Sequence, residues 1–259
     1  MMYILFIIVS FAIVSFFLYQ WQYFMIFTPV YYRKDGICKC CEYLSTTTDD
    51  GVELEGVVYE PEEPKGTLLF FGGRSDDSVA LINTLSQNYK SLRVVTFNYR
   101  SYGKSGGIAN EYNLFHDGLH VAQLVQKHYG SFYVLGFSLG SSVATYVASK
   151  KLTQGVFLVG AFDSIGALVL KKYNLKVPSF FIRYKFETQK YIQEVNAPVA
   201  LFASKNDDIT YIENTYHLKN YIVNLACFEE FDGLSHQELL CYQPIVEKIN
   251  RIIYEKESL

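Results

Sequence analysis

The chain has 259 residues, 50% of them hydrophobic and 19% charged, which excludes wholesale disorder, an extended coiled coil and a mini-protein. Its 23 Lys and Arg against 26 Asp and Glu leave a formal net charge of -3, so a nucleic-acid partner held through a broad basic face is disfavoured. The five Cys are odd in number and unevenly spread, unlike the framework of a secreted disulfide scaffold.

No charged side chain occurs from Met1 to Tyr32, and the stretch from Tyr3 to Leu18 is almost wholly apolar. A helix needs about 20 residues to cross the hydrocarbon of a bilayer, and this run supplies them. Tyr19, Trp21, Tyr23, Tyr31 and Tyr32 cluster at its C-terminal end, where aromatic rings suit the membrane–water interface. A basic leader and small residues at a cleavage site are both missing. Residues 1–32 therefore read as an uncleaved, single-pass membrane anchor. Arg33, Lys34 and Lys39 follow it and no Lys or Arg precedes it, which places the rest of the chain in the cytoplasm. Residues 33–41 form a juxtamembrane segment. Its Cys38, Cys40 and Cys41 read as reduced thiols without a special role, with palmitoylation, metal binding or a disulfide as alternatives.

The remainder, 42–259, reads as one domain without repeats or low-complexity linkers. Short β-rich runs alternate with longer helical stretches. Strands are predicted at Tyr43–Thr48, Val52–Tyr59, Thr67–Phe71, Arg93–Asn98, Phe132–Gly136, Val156–Val159, Pro198–Ala203 and Leu225–Phe231. Helices are predicted at Ser78–Tyr89, Glu111–His128, Ser138–Lys151, Ile212–Tyr221 and Gln237–Tyr254. The first two strands lack an intervening helix and imply a hairpin around Asp49-Asp50-Gly51. The alternation beyond it implies an α/β fold, an eight-stranded and mostly parallel sheet covered by helices on both faces.

The run Gly136-Phe137-Ser138-Leu139-Gly140 lies between an apolar strand and a helix rich in small residues. This is G-x-S-x-G in the strand–turn–helix context that gives it meaning. The turn is sharp enough to strain the serine, and only small residues fit two positions before and after it. Ser138 is therefore the candidate nucleophile. A serine hydroxyl needs a base, and the base needs a third group to hold its tautomer. His236, between the last strand and the last helix, is the candidate base. His116, His120, His128 and His217 fall on helices; the i, i+4 spacing of His116 and His120 could serve a metal but reads as a solvated helix face. For the acid, Asp207 and Asp208 end a buried strand, and Asp163 is a third candidate. The oxyanion hole needs two backbone N–H donors. These are Leu139, directly after the serine, and Gly73 in the Phe71-Gly72-Gly73-Arg74 loop, with Arg74 as the alternative. Nothing resembles a metal site, a dinucleotide fingerprint or a P-loop, so no cofactor is expected.

Taken with Asn98-Tyr99-Arg100-Ser101-Tyr102-Gly103-Lys104-Ser105, Ala161-Phe162-Asp163-Ser164, Ala203–Asp208 and Gly233–His236, these motifs resemble the α/β-hydrolase superfamily. The match runs from about Tyr43 to the C-terminus, and compact membrane-anchored serine hydrolases are the most similar members. The resemblance implies a Gly-x-x-Asp turn before the acid. Ser204 stands in the Gly place, which puts the acid at Asp207 rather than Asp208. It also implies a small or absent cap between Val159 and Pro198, with a basic rim from Lys171, Lys172, Lys176, Arg183 and Lys185. The expected activity is hydrolysis of acyl esters or thioesters, of a lipid or an acylated protein, through Ser138, His236 and Asp207. A peptidase with the same triad and a catalytically idle membrane-tethered binding module are the alternatives.

Overall fold

In the computed structural model, residues 2–31 and 36–257 are described. Arg33 and Lys34, on which the orientation expectation rests, lie outside them. An N-terminal helix α1 (Met2–Ile26) precedes eight strands: β1 (Cys41–Thr47), β2 (Glu53–Tyr59), β3 (Thr67–Phe71), β4 (Arg93–Phe97), β5 (Tyr133–Phe137), β6 (Val156–Val159), β7 (Val199–Ser204) and β8 (Leu225–Phe231). The further α-helices are α2 (Ile82–Asn88), α3 (Glu111–Tyr129), α4 (Leu139–Lys150), α5 (Ile165–Tyr173), α6 (Thr188–Tyr191), α7 (Ile212–Lys219) and α8 (Gln243–Glu257).

The strands form one sheet in the order β1-β2-β4-β3-β5-β6-β7-β8. Only β1–β2 and β2–β4 pair antiparallel; every other pair is parallel. The β1–β2 hairpin turns at Gly51, whose φ of 81° suits a residue without a Cβ. Strands β3, β5, β6 and β7 are buried along their whole length, as a sheet covered on both faces requires. Alternate residues serve the two sides. Leu69, Phe71, Val134, Leu158 and Leu201 pack with α3 and α4, while Leu68, Phe70, Leu135, Phe157 and Phe202 pack with α2 and α8. The chain leaves β3 toward β4 and returns on the other side of β3 as β5. That reversal opens a crevice at the C-terminal strand ends, where open α/β sheets hold their ligands.

Two predicted helices differ from those observed. The Ser78–Tyr89 helix begins only at Ile82, because Asn98 Oδ1 accepts from the Ser78 and Val79 amides and bends Asp77–Leu81 into a turn. The Gln237–Tyr254 helix splits into a 3-10 turn at Leu239–Cys241 and α8. Pro244 favours a helix start there and disfavours helical backbone just before it. No helix is predicted at α5, whose Ile165 and Leu168 pack against the core only partly buried. Cys38 and Cys41 form a disulfide with a Cα separation of 5.1 Å, and Cys40 is free. The expectation of three reduced thiols is thereby corrected; the turn at Lys39-Cys40 brings the two sulfurs together.

Helix α1 is long and apolar enough to cross a bilayer, and none of its residues is buried. Its end is tied to the domain. Phe27 is 1% exposed and packs edge-on against Tyr184, with ring centroids 4.9 Å apart. Arg74 Nη1 donates to Met25 O at 2.6 Å, and the Thr28 amide donates to Arg74 O.

Candidate active site

The turn after β5 puts Ser138 at φ 53° and ψ −119°, a conformation that non-glycine residues adopt only under constraint. The constraint is steric. A Cβ on Gly136 would lie 2.4 Å from Gly140 O, and a Cβ on Gly140 would lie 2.1 Å from Phe71 O. Neither position tolerates a side chain, and the backbone is squeezed between β3 and its own first turn. Ser138 stands at the mouth of α4, whose first amides have no intrahelical acceptor. The Leu139 N–H is one of these.

The loop after β7 positions Asp207, which is 6% exposed, while Asp208 faces solvent. Asp207 Oδ1 accepts from the Ile209 and Thr210 amides, each at 2.8 Å, and Oδ2 accepts from Thr210 Oγ1 at 2.6 Å. The second partner of Oδ2 is His236 Nδ1 at 2.7 Å. Burial raises the Asp207 pKa, but the His236 and Thr210 hydrogen bonds outweigh it and hold the carboxyl below its ordinary range. An ionised carboxylate can only accept, so Nδ1 carries the proton and Nε2 keeps its lone pair. The imidazole is 5% exposed and stacks on Phe137, the residue before Ser138, with centroids 4.9 Å apart. Its other wall is Gly160, at φ 57°, where a Cβ would stand 3.0 Å from His236 Cε1.

Asp163 goes elsewhere. It accepts from Asn214 Nδ2 at 3.0 Å and pairs with His217 Nδ1 at 2.7 Å. His120 Nε2 lies 2.9 Å from Thr46 Oγ1, and the His116 ring packs on Tyr112.

The oxyanion loop departs from expectation. A Cβ on Gly73 would lie 3.4 Å from Ser138 Cβ, so this residue does flank the serine. Its N–H, however, donates to Asp76 Oδ2 at 2.6 Å. In this conformation the amide of Gly73, the expected oxyanion donor, is held by a carboxylate three residues on. Burial pushes the Asp76 carboxyl above its ordinary range, against the opposing pull of the Gly73 amide and His236. Two tyrosines of the loop after β4 hold the same segment. Tyr99 OH donates to Gly72 O at 2.9 Å and Tyr102 OH to Arg74 O at 2.5 Å. Between them Arg100 reaches to Asp50 of the β1–β2 turn and Asp117 of α3, while the tyrosines reach across to the loop after β3. A sequence signal for Asp76 was present in the Gly-rich loop, but not for its direction.

Beside Ser138 opens a cavity lined by Leu139, Phe162, Ile165, Leu168, Val169 and the α1 residues Met25 and Ile26, with Arg74 and Lys172 at its edge. Its volume is about 140 Å³.

The profile of the alpha/beta hydrolase fold matches residues 66–195, half of the chain. The chain belongs to the α/β-hydrolase family. It is 23% identical over 212 residues to an uncharacterised protein of Acanthamoeba polyphaga mimivirus, covering 73% of this chain and 72% of the other. It is 25% identical over 171 residues to the lysophosphatidylserine lipase ABHD12 of Rattus norvegicus, covering 58% of this chain and 42% of that lipase. The chain thus spans less than half the length of that relative. Among solved structures, an esterase of Pyrococcus furiosus superposes with a TM-score of 0.68 at 18% identity, over 90% of this chain and 98% of the esterase. That superposition shows a shared fold over nearly the whole of this chain.

Proposed function

We propose that this protein is a membrane-anchored serine hydrolase of acyl esters, with Ser138 as nucleophile, His236 as base and Asp207 as its orienting acid. The anchor comprises residues 1–32, the juxtamembrane segment 33–41 and the hydrolase domain 42–259. The observation that carries the reading is a strained Ser138 that follows Phe137, on whose ring the His236 imidazole stacks, with Nδ1 of that imidazole held at 2.7 Å by a buried carboxylate. Nε2 takes the Ser138 proton as Oγ attacks the acyl carbonyl. The Leu139 amide, with Gly73 once Asp76 yields it, holds the oxyanion. His236 then protonates the leaving oxygen, and water releases the acyl-enzyme by the same steps in reverse order. An oxyanion donor contributes about 10²–10³ in rate and the base about 10²–10⁴.

The apolar lining and the Arg74 and Lys172 edge favour a single acyl chain attached to an anionic head group. The lipase among the relatives, named for lysophosphatidylserine, supports the same class. The wall made by Met25 and Ile26 supports delivery of substrate from the bilayer that α1 would cross. The fluorophosphonate probe tests this reading. Detergent-solubilised wild type is expected to label and Ser138→Ala to remain unlabelled, with turnover of lysophosphatidylserine exceeding that of lysophosphatidylcholine. Failure of folded wild type to label would sink the serine mechanism, and equal turnover would sink the head-group preference.

A further inference from the structure

Between β6 and β7 the chain makes an excursion beside α1, and that excursion leaves large apolar side chains in the open. Leu170, Tyr173, Leu175, Phe180 and Phe181 are exposed, Phe180 at 72% and Leu175 at 58%. Residues 170–176 are exposed without a break. The stretch 165–185 also carries five Lys or Arg and no Asp or Glu. Of these, Lys171 is paired with Glu213. A run of bare aromatic and aliphatic side chains mixed with cations is costly against water alone and suits the boundary of an anionic bilayer, where rings sit at head-group depth and Lys stems snorkel.

Its position relative to α1 gives the depth. At 1.5 Å per residue, the 25 residues of α1 span about 37 Å, longer than a hydrocarbon core of about 30 Å. Counted from Met2, the helix leaves the hydrocarbon near Trp21. Gln20 and Gln22, its first amide side chains, fall there, and both are joined to the excursion. Gln22 Nε2 donates to Phe181 O at 2.8 Å, the Arg183 amide donates to Gln22 Oε1 at 2.9 Å, and Arg183 Nη1 donates to Gln20 Oε1 at 2.6 Å. The Arg183 guanidinium also lies over the Tyr19 ring at 5.4 Å. Residues 181–183 are thereby fixed beside the part of α1 that meets the head groups.

We propose that the segment from Leu170 to Phe181 is a second membrane-contact surface that rests in the interface of the leaflet where α1 ends, drawing the Ser138 cavity to the bilayer surface. This rests on the reading of α1 as a membrane anchor. Helix α5 contributes both to the exposed surface, through Leu170 and Tyr173, and to the cavity wall, through Ile165, Leu168 and Val169. An acyl chain leaving the leaflet would pass from one to the other along a single helix.

The single tryptophan, Trp21, makes the two readings separable. The full chain is reconstituted in phosphatidylcholine–phosphatidylserine vesicles with acyl chains brominated near the head group, and tryptophan emission is compared with unbrominated vesicles. In the native chain, quenching of Trp21 reports the anchor. In a Trp21→Phe background, Phe180→Trp and, separately, Leu175→Trp report the segment. Leu152→Trp, an exposed position past the far end of α4, reports the opposite pole of the domain. The expectation is loss of at least half the emission at Trp21, Phe180→Trp and Leu175→Trp, and none at Leu152→Trp. Quenching at Trp21 with none at Phe180→Trp or Leu175→Trp leaves the anchor standing and overturns the second surface, pointing to a soluble partner or a second copy. No quenching at Trp21 overturns the anchor itself. Omission of phosphatidylserine is expected to reduce quenching at Phe180→Trp at least twofold; equal quenching would overturn the role of the cations.

Discussion

Gly160→Ala is the sharpest probe of the proposed base. Gly160 follows β6 at φ 57°, and a Cβ there would stand 3.0 Å from His236 Cε1 and 3.3 Å from Nδ1. Ordinary van der Waals contact begins near 3.4 Å, so the imidazole must move by about 0.4 Å or tilt. It cannot retreat freely, because Phe137 stacks on the ring and Asp207 holds Nδ1. A misplacement of about 1 Å costs roughly 10²-fold in rate, so a shift of this size is expected to lower kcat about three- to thirtyfold with KM little changed. The left-handed backbone adds about 1–2 kcal/mol of destabilisation. Gly130→Ala supplies the control: Gly130 has φ 78° but nothing within 4 Å of the added Cβ. It carries the backbone strain without touching the histidine. The assay is kcat and KM on a p-nitrophenyl acyl ester beside the urea midpoint of each variant. Equal kcat in Gly160→Ala and wild type, with both variants folded, would refute the placement of His236 as base.

Asp207→Asn is expected to lower kcat by about 10⁴ through loss of the Nδ1 tautomer, while Asp208→Asn leaves it within twofold; comparable losses would move the acid. The Asp207 carboxyl titrates below its ordinary 3.8, so its stabilising contribution is complete above that pH and lost as pH falls through the lower folded value. The urea-midpoint gap between wild type and Asp207→Asn is accordingly constant near neutrality and narrows below pH 3.8, and a gap that widens in acid would contradict the sign. Asp76→Asn replaces a charge-assisted bond to the Gly73 amide by a neutral one, weaker by about 1 kcal/mol, and is expected to raise kcat roughly fivefold; a fall would mean that the carboxylate acts through the charge of His236 instead. Arg100→Ala leaves Asp117 buried without its partner and is expected to cost about 3–5 kcal/mol by denaturant titration, with fluorophosphonate labelling of the folded fraction unchanged; a loss under 1 kcal/mol would show water reaching Asp117.

The positions of the strands and the elbow were legible because their causes are local. Gly136 and Gly140 are required by atoms within a few residues or on the adjoining strand β3, and continuous apolar runs mark strands buried on both faces. The pairing of Asp207 with His236 follows from two consecutive strand ends, β7 and β8, whose neighbourhood the alternation already implied. Asp76 was not legible. A carboxylate three residues past a glycine can turn outward or inward, and only packing beneath Tyr99 and Tyr102 turns it toward the Gly73 amide. The second His–Asp pair, Asp163 with His217, was invisible for the same reason: side-chain direction is set by what lies above the strand end.

Composition alone marked α1 as a possible membrane span, since a charge-free apolar run of that length has few other uses. Its union with the domain belonged to the tertiary structure. Phe27 enters the core against Tyr184 and Phe186, and Gln20 and Gln22 bind a segment some 160 residues later, contacts that no periodicity in either segment encodes. The chemistry of the candidate site was therefore written in short motifs under local steric constraint. Where that site lies relative to α1 and the exposed segment was decided by long-range packing, because the energy of those contacts depends on the joint placement of both partners.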